Sequence, residues 1–143
     1  MERQIFINLP VTNVVASSAF YAALGAERDE RFCDGSTAMM RFSPAITVML
    51  LNHERFTGFT SKPIPDPRAA NEVLLCLSCA DRAEVDKLTD TASWAGGHAD
   101  PTPSQDYGFM YGRSFEDPDG HIWKAVWMDV DAAMAARKQM QDA

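Results

Sequence analysis

Lys124 closes the stretch FEDPDGHIWK, residues 115 to 124, and is the side chain here best placed to do chemistry. Asp117-Pro118-Asp119-Gly120 reads as a tight hairpin turn, with proline where φ must be fixed and glycine where it must be free. Alternating aromatic residues on both sides read as two paired strands. A four-residue turn pairs Glu116 with His121, Arg113 with Lys124 and Tyr111 with Val126. Tyr111, Arg113, Lys124 and Val126 then share one strand face. Two neighbouring cations repel, so something must neutralise them. An anionic or carbonyl-bearing ligand would do so through charge-assisted hydrogen bonds. So would an internal partner, Glu116 or an aspartate from a long loop. A buried lysine also has a lowered pKa, which suits Schiff-base or acid–base work, although no other residue supports that role.

The other reactive residues form no constellation. Cys76 and Cys79 in CLSC have a redox or zinc spacing. They fall in a strand-like run, where residues three apart point to opposite faces and lie about 10 Å apart, beyond disulfide reach. Both read as small core residues. His53 and His98 fall in loops and His121 beside the turn, with Glu54 as a further oxygen donor. They read as solvated or capping groups rather than metal ligands. Ser17 and Ser18 read as exposed or back-bonded hydroxyls of a helix. Glycine-rich phosphate loops and nucleophile-elbow motifs are missing.

The elements that must position Lys124 come in two similar sets. IFINLPV, residues 5 to 11, is a strand. Thr12-Asn13 offers a helix cap, and VVASSAFYAAL a helix with Val15, Ala19, Phe20, Ala23 and Leu24 on one face, ended by Gly25. TAMMRF and ITVMLL are two more strands. Residues 52 to 71 form an arm with three prolines, a loop length that is usually functional or disordered. Phe56 and Phe59 on it suit either a partner surface or a plug for the chain's own cavity.

The pattern then restarts. EVLLCLSC is a strand, RAEVDKLTDTASWA a helix ended by Gly96-Gly97, and YGFMYGRSF with HIWKAVWM the closing hairpin. A shift of 68 residues lays Asn13 on Asp81 and Phe20 on Leu88, which indicates an internal repeat. The expected fold is α+β: two tandem βαβββ modules in one curved mixed sheet around a cavity, helices outside. Module one covers about residues 1–55, the arm 52–71, module two about 71–129, and a final helix about 130–143. Together they make one domain, residues 1–143. Phe6, Asn8, Met49, Leu74 and Val126 join Lys124 on the cavity face by strand alternation.

Composition narrows the function classes. The chain has 143 residues, enough for one domain with a core, and 46% hydrophobic residues argue against disorder. A net charge of −7 argues against a nucleic-acid backbone as partner. No apolar run reaches membrane-spanning length. MERQIFINLP is not a signal peptide, and three cysteines fit a reducing compartment. The expectation is a cytoplasmic protein that touches neither membrane nor nucleic acid.

FYAALGA after the first strand and GRSFEDPDGHIW near the end, on a duplicated architecture, resemble the glyoxalase / bleomycin-resistance / extradiol-dioxygenase superfamily over about residues 4 to 129. More narrowly the chain is similar to bacterial predicted lactoylglutathione lyase-like proteins. The resemblance implies four metal ligands, one from each of four strands, at Phe6, Met49, Leu74 and Lys124. None of these is a hard donor, since a thioether is soft and a lysine ammonium repels a cation. The family's metal chemistry does not carry over, and no cofactor is expected.

The leading expectation is therefore a metal-free protein that binds a small organic ligand in an apolar cavity. A lyase or isomerase of the glyoxalase type is the alternative, and a structural dimer with a self-filled cavity the second. Members of this family commonly pair two chains, so a homodimer is expected, with the arm and the helix from Asp131 at the contact.

Overall fold

A computed structural model describes residues 1–142 of the chain. In chain order the elements are β1 (Ile5–Val11), α1 (Val14–Ala23), β2 (Glu27–Arg28), a 3₁₀ turn (Glu30–Phe32), β3 (Thr37–Ser43), β4 (Ile46–Asn52), α2 (His53–Thr57), β5 (Leu75–Ser78), α3 (Arg82–Trp94), β6 (His98–Ala99), β7 (Gln105–Asp106), β8 (Met110–Glu116), β9 (Ile122–Met128) and α4 (Val130–Asp142). Residue 143, with which the expected last helix ended, lies outside the described residues.

The two halves repeat one topology. Strand order is β1-β4-β3-β2 in the first sheet and β5-β9-β8-β6 in the second, with β7 also on β8. In each, the first strand runs parallel to the last and the middle strands are antiparallel. The halves do not merge into the single curved sheet expected. Strands β1 and β5 share no ladder, and β5 begins only at Leu75, residues 72–74 of the expected strand lying outside it.

Each module's helix starts on a side-chain cap. Asn13 accepts from the Ala16 N–H at 3.0 Å and Asp81 from the Glu84 N–H at 2.8 Å, which satisfies a backbone donor the helix itself leaves free. Gly25 and Gly96, at φ of 101° and 108°, follow the C-termini in the left-handed conformation glycine favours.

Helices α1 and α3 pack on the same side of the sheets and bury one shared core. Phe20, Tyr21, Phe115 and Trp123 are buried at its centre, and the Phe115 and Trp123 rings are stacked. The buried stripe of α1 differs from the expected one: Val14, Ser17, Ser18, Phe20 and Tyr21 are inside, while Val15 is exposed. Helix α1 rotates so because its hydroxyls find partners. Ser18 Oγ donates to the Val15 carbonyl at 3.1 Å and Ser17 Oγ to Asp119 at 3.4 Å. Buried hydroxyls are tolerated when they are bonded.

The other side of the sheets carries no helix of the repeat. Phe6 and Leu74 are about half exposed there. Helix α4 has no buried side chain. The arm starts with α2 and returns to the hairpin turn, where the Arg68 guanidinium donates to the Pro118 carbonyl.

Candidate ligand site on the helix-free face

The turn at residues 117–120 sets the geometry of the site, and it differs from the four-residue reading. The Gly120 N–H donates to the Asp117 carbonyl at 3.0 Å, and Gly120 takes φ of 99°. The Asp117 N–H then donates to the His121 carbonyl at 3.0 Å, so Asp117 faces His121. This is a three-residue loop: a type I turn followed by a glycine bulge. Glu116 therefore pairs with Ile122, Ser114 with Lys124, Arg113 with Ala125 and Tyr111 with Trp127. A one-residue slip sends every side chain of a strand to the opposite face.

Tyr111 and Arg113 are thus corrected off the Lys124 face, onto the helix side. The Arg113 side chain is only 14% exposed, and its guanidinium contacts Asp86 at 3.0 Å, Asp90 at 3.0 Å and Asp100 at 2.8 Å. Tyr111 donates to Asp86 at 2.6 Å. Hydrogen bonds from Tyr111 and Arg113 hold the Asp86 carboxyl below its ordinary value, and the carboxylates raise Arg113 further. Arg82 lies over the Tyr111 and Trp127 rings and is tied to Asp106 by two 2.8 Å bonds. Arg113 is neutralised internally, by aspartates of α3 and the following loop.

Lys124 keeps its expected face. Trp123 and Ala125 are buried in the core, and Lys124 points to the other side with Ile122. Its cross-strand neighbours are Cys76 on β5 and Ser114 on β8. Among the described residues the Lys124 ammonium has no ion pair and no hydrogen bond.

A cavity of about 440 Å³ opens beside Lys124. Leu74, Pro103 and Ile122 give it apolar wall, and Thr102, Gln105 and Ser114 give it polar groups. Ser114 is buried, with its hydroxyl 2.8 Å from Thr102 Oγ1. None of its lining residues is acidic. A second cavity of about 210 Å³ shares Asn71 and Ile122 with the first, and continues toward Asn8, Pro65, Pro67 and Phe56. The wall of this second cavity is mostly apolar, with Glu72 and His121 on it; a cation at one end and apolar wall at the other suit a small organic anion.

The remaining expected site residues divide. Leu74 lines the first cavity and Asn8 the second. Phe6, Met49 and Val126 share the helix-free face by alternation but line neither cavity. Thr102, Gln105 and Ser114 were missed. Glycine at the left-handed position after a type I turn is a signal for the three-residue loop, and it would have placed Ser114 beside Lys124.

Cys76 is corrected as well: it is exposed on the helix-free face, while Cys79 is partly buried against the core. Burial pushes the Cys79 thiol up to about 11. Phe56 lines the second cavity, and Phe59 stays exposed beneath Arg55.

The four positions at which the resemblance would place metal ligands hold Phe6, Met49, Leu74 and Lys124. Two hydrocarbons, a thioether and an ammonium do not fit a divalent cation. No group of three or more His, Cys, Asp or Glu side chains is arranged to hold a metal among the described residues.

The family model for the Glyoxalase/Bleomycin resistance protein/Dioxygenase superfamily matches residues 3–125, and the chain belongs to that superfamily. Solved structures share the fold. A hypothetical protein from S. aureus is 25% identical with a TM-score of 0.74, covering 89% of this chain and 94% of its own. A glyoxalase/bleomycin resistance protein/dioxygenase family enzyme from Burkholderia phytofirmans PsJN is 20% identical, with a TM-score of 0.71 and coverage of 89% and 99%. A lactoylglutathione lyase from Agrobacterium tumefaciens is 18% identical, with a TM-score of 0.64 and coverage of 89% and 94%. The comparison with curated proteins returned no match.

Proposed function

We propose that the chain is a metal-independent binding member of its superfamily, and that it holds a small organic anion or carbonyl compound against Lys124. The observation that carries this reading is the unpaired Lys124 ammonium at a cavity with no acidic lining residue. An ammonium drawn partly out of water needs oxygen partners. Ser114, Thr102 and Gln105 supply further hydrogen bonds, and Leu74, Ile122 and Pro103 pack an apolar body. Native mass spectrometry of freshly purified protein tests it, followed by titration with benzoate as a simple aryl anion. Saturable binding that weakens in Lys124→Met supports the reading. One tightly held transition metal per chain, or benzoate binding indifferent to Lys124, would overturn it.

The lyase reading predicts turnover of the hemithioacetal of methylglyoxal and glutathione on adding nickel or zinc. The donor set argues against it. We also propose a homodimer. Val130, Met134 and Met140 are exposed on α4, and Phe6 and Leu74 on the helix-free face, which is apolar surface suited to a second copy. Sedimentation at tens of micromolar checks this, and a stable monomer would defeat it.

A further inference from the structure

Cys76, Lys124 and Ser114 stand in one lateral row across β5, β9 and β8: Cys76 pairs with Lys124, and Lys124 with Ser114. All three project from the helix-free face. The Cys76 thiol is exposed, the ammonium beside it is unpaired among the described residues, and the Ser114 hydroxyl is buried at the adjoining cavity. Neighbouring strands lie about 4.8 Å apart, so one small molecule can touch thiol and ammonium together.

We propose that Cys76 captures aldehydes reversibly as a hemithioacetal, with the Lys124 ammonium beside the developing oxygen. The S–H bond breaks and an S–C bond forms to the carbonyl carbon. The carbonyl π pair moves onto oxygen, which takes a proton from Lys124. Lys124 is then reprotonated by the proton the thiol released. Atoms and charge balance with no oxidant, reductant or leaving group. A carbonyl suits the row better than a disulfide or peroxide, because addition to it builds negative charge on an oxygen at the position an ammonium can stabilise.

Partial burial holds the Cys76 thiol's pKa above its ordinary value, and the charge of Lys124 offsets part of that rise. The thiolate is the attacking form, so capture speeds up with pH and slows when the lysine charge is removed. The inference rests on the ligand-site reading of the same face.

The test is carbon NMR of the full-length protein with benzaldehyde labelled at its carbonyl carbon, a neutral probe independent of anion binding. The expected result is one protein-bound hemithioacetal resonance on the wild type and on a Cys33→Ser/Cys79→Ser variant. It vanishes in Cys76→Ser and Cys76→Ala, each checked for native near-UV circular dichroism. In Lys124→Met the adduct forms about 10-fold more slowly, read from exchange between the free and bound carbonyl resonances, the scale of one charge-assisted contact. An adduct that persists in both folded Cys76 variants, a capture rate unchanged in Lys124→Met, or no adduct on the wild type at saturating aldehyde would each overturn the capture. Benzoate is titrated in parallel on the wild type. Benzoate binding without an adduct overturns the capture alone, and an adduct without benzoate binding supports the capture and overturns the anion reading alone.

Discussion

The Tyr21 hydroxyl, on the first module's helix, donates a 2.7 Å hydrogen bond to the buried Asp117 carboxylate at the second module's hairpin turn. Asp117 also accepts the Asp119 and His121 N–H groups at 3.0 and 2.9 Å, and the Trp123 indole donates to the Tyr21 oxygen at 3.0 Å. Asp119 accepts the Thr12 N–H at 2.9 Å, and His121 Nε2 donates to the Pro10 carbonyl at 2.7 Å. The DPDGH turn therefore fastens one half of the molecule to the other. Tyr21→Phe strips Asp117 of a donor and leaves the Trp123 indole without an acceptor. A loss of about 1–3 kcal/mol is expected, the range for buried groups left unbonded. It will appear as a lower urea midpoint at unchanged slope.

The same carboxyl gives a pH signature. Burial raises Asp117 above its ordinary value, against the opposing pull of His121 and Tyr21. The folded state then holds this proton more tightly than the unfolded chain, so the group's contribution to stability is full below the ordinary carboxylate range and lost as pH rises through the raised value. The exposed Asp106 runs the other way. Arg82 holds it down to about 2, so its contribution is present above the ordinary carboxylate range and lost as pH falls. Asp117→Asn removes the first effect and leaves the second. Wild-type stability measured against Asp117→Asn should decline from about pH 4 upward, starting near the unfolded Asp value. A difference that rises with pH would contradict the burial account.

On the proposed ligand reading Lys124 serves binding rather than the fold, and it forms no ion pair among the described residues. Lys124→Met should leave the thermal midpoint within a few degrees and weaken benzoate by about 1–3 kcal/mol, the scale of one hydrogen bond to a charged group. Lys124→Glu adds a carboxylate where the resemblance would place a metal ligand, but Phe6, Met49 and Leu74 remain. Isothermal titration with zinc or nickel should show no tight site in it.

Arg113 should behave in the opposite sense. Arg113→Ala leaves Asp86, Asp90 and Asp100 facing one another without their cation, and strips Tyr111 of part of its setting. These carboxylates are about half exposed, so water screens part of the cost. A loss of about 1–2 kcal/mol is expected, partly recovered at high salt, with benzoate affinity unchanged. Loss of benzoate binding in a stably folded Arg113→Ala would return Arg113 to the ligand site.

Local pattern determined much of this protein. The caps at Asn13 and Asp81, the stops at Gly25 and Gly96, and the strand runs of both halves each report a local backbone preference. Their repetition pointed to the duplicated fold and to the family. Alternation alone also put Lys124 opposite Trp123 and Ala125, because a strand's two faces are fixed by parity once one face is buried.

Tertiary structure decided the partners. Strand β8 is counted from the hairpin loop, and that loop is closed by contacts from far along the chain: His121 Nε2 bonded to Pro10 of β1, and Asp117 bonded to Tyr21 of α1. Those bonds hold Asp117 opposite His121, and one residue of register exchanges Arg113 for Ser114 beside Lys124. Short-range pattern in the hairpin cannot contain the aspartates of α3 that claim Arg113, nor the Thr102 loop that covers Ser114. The charge on the site was legible in the sequence. Its lack of an ion pair among the described residues is a property of the folded arrangement.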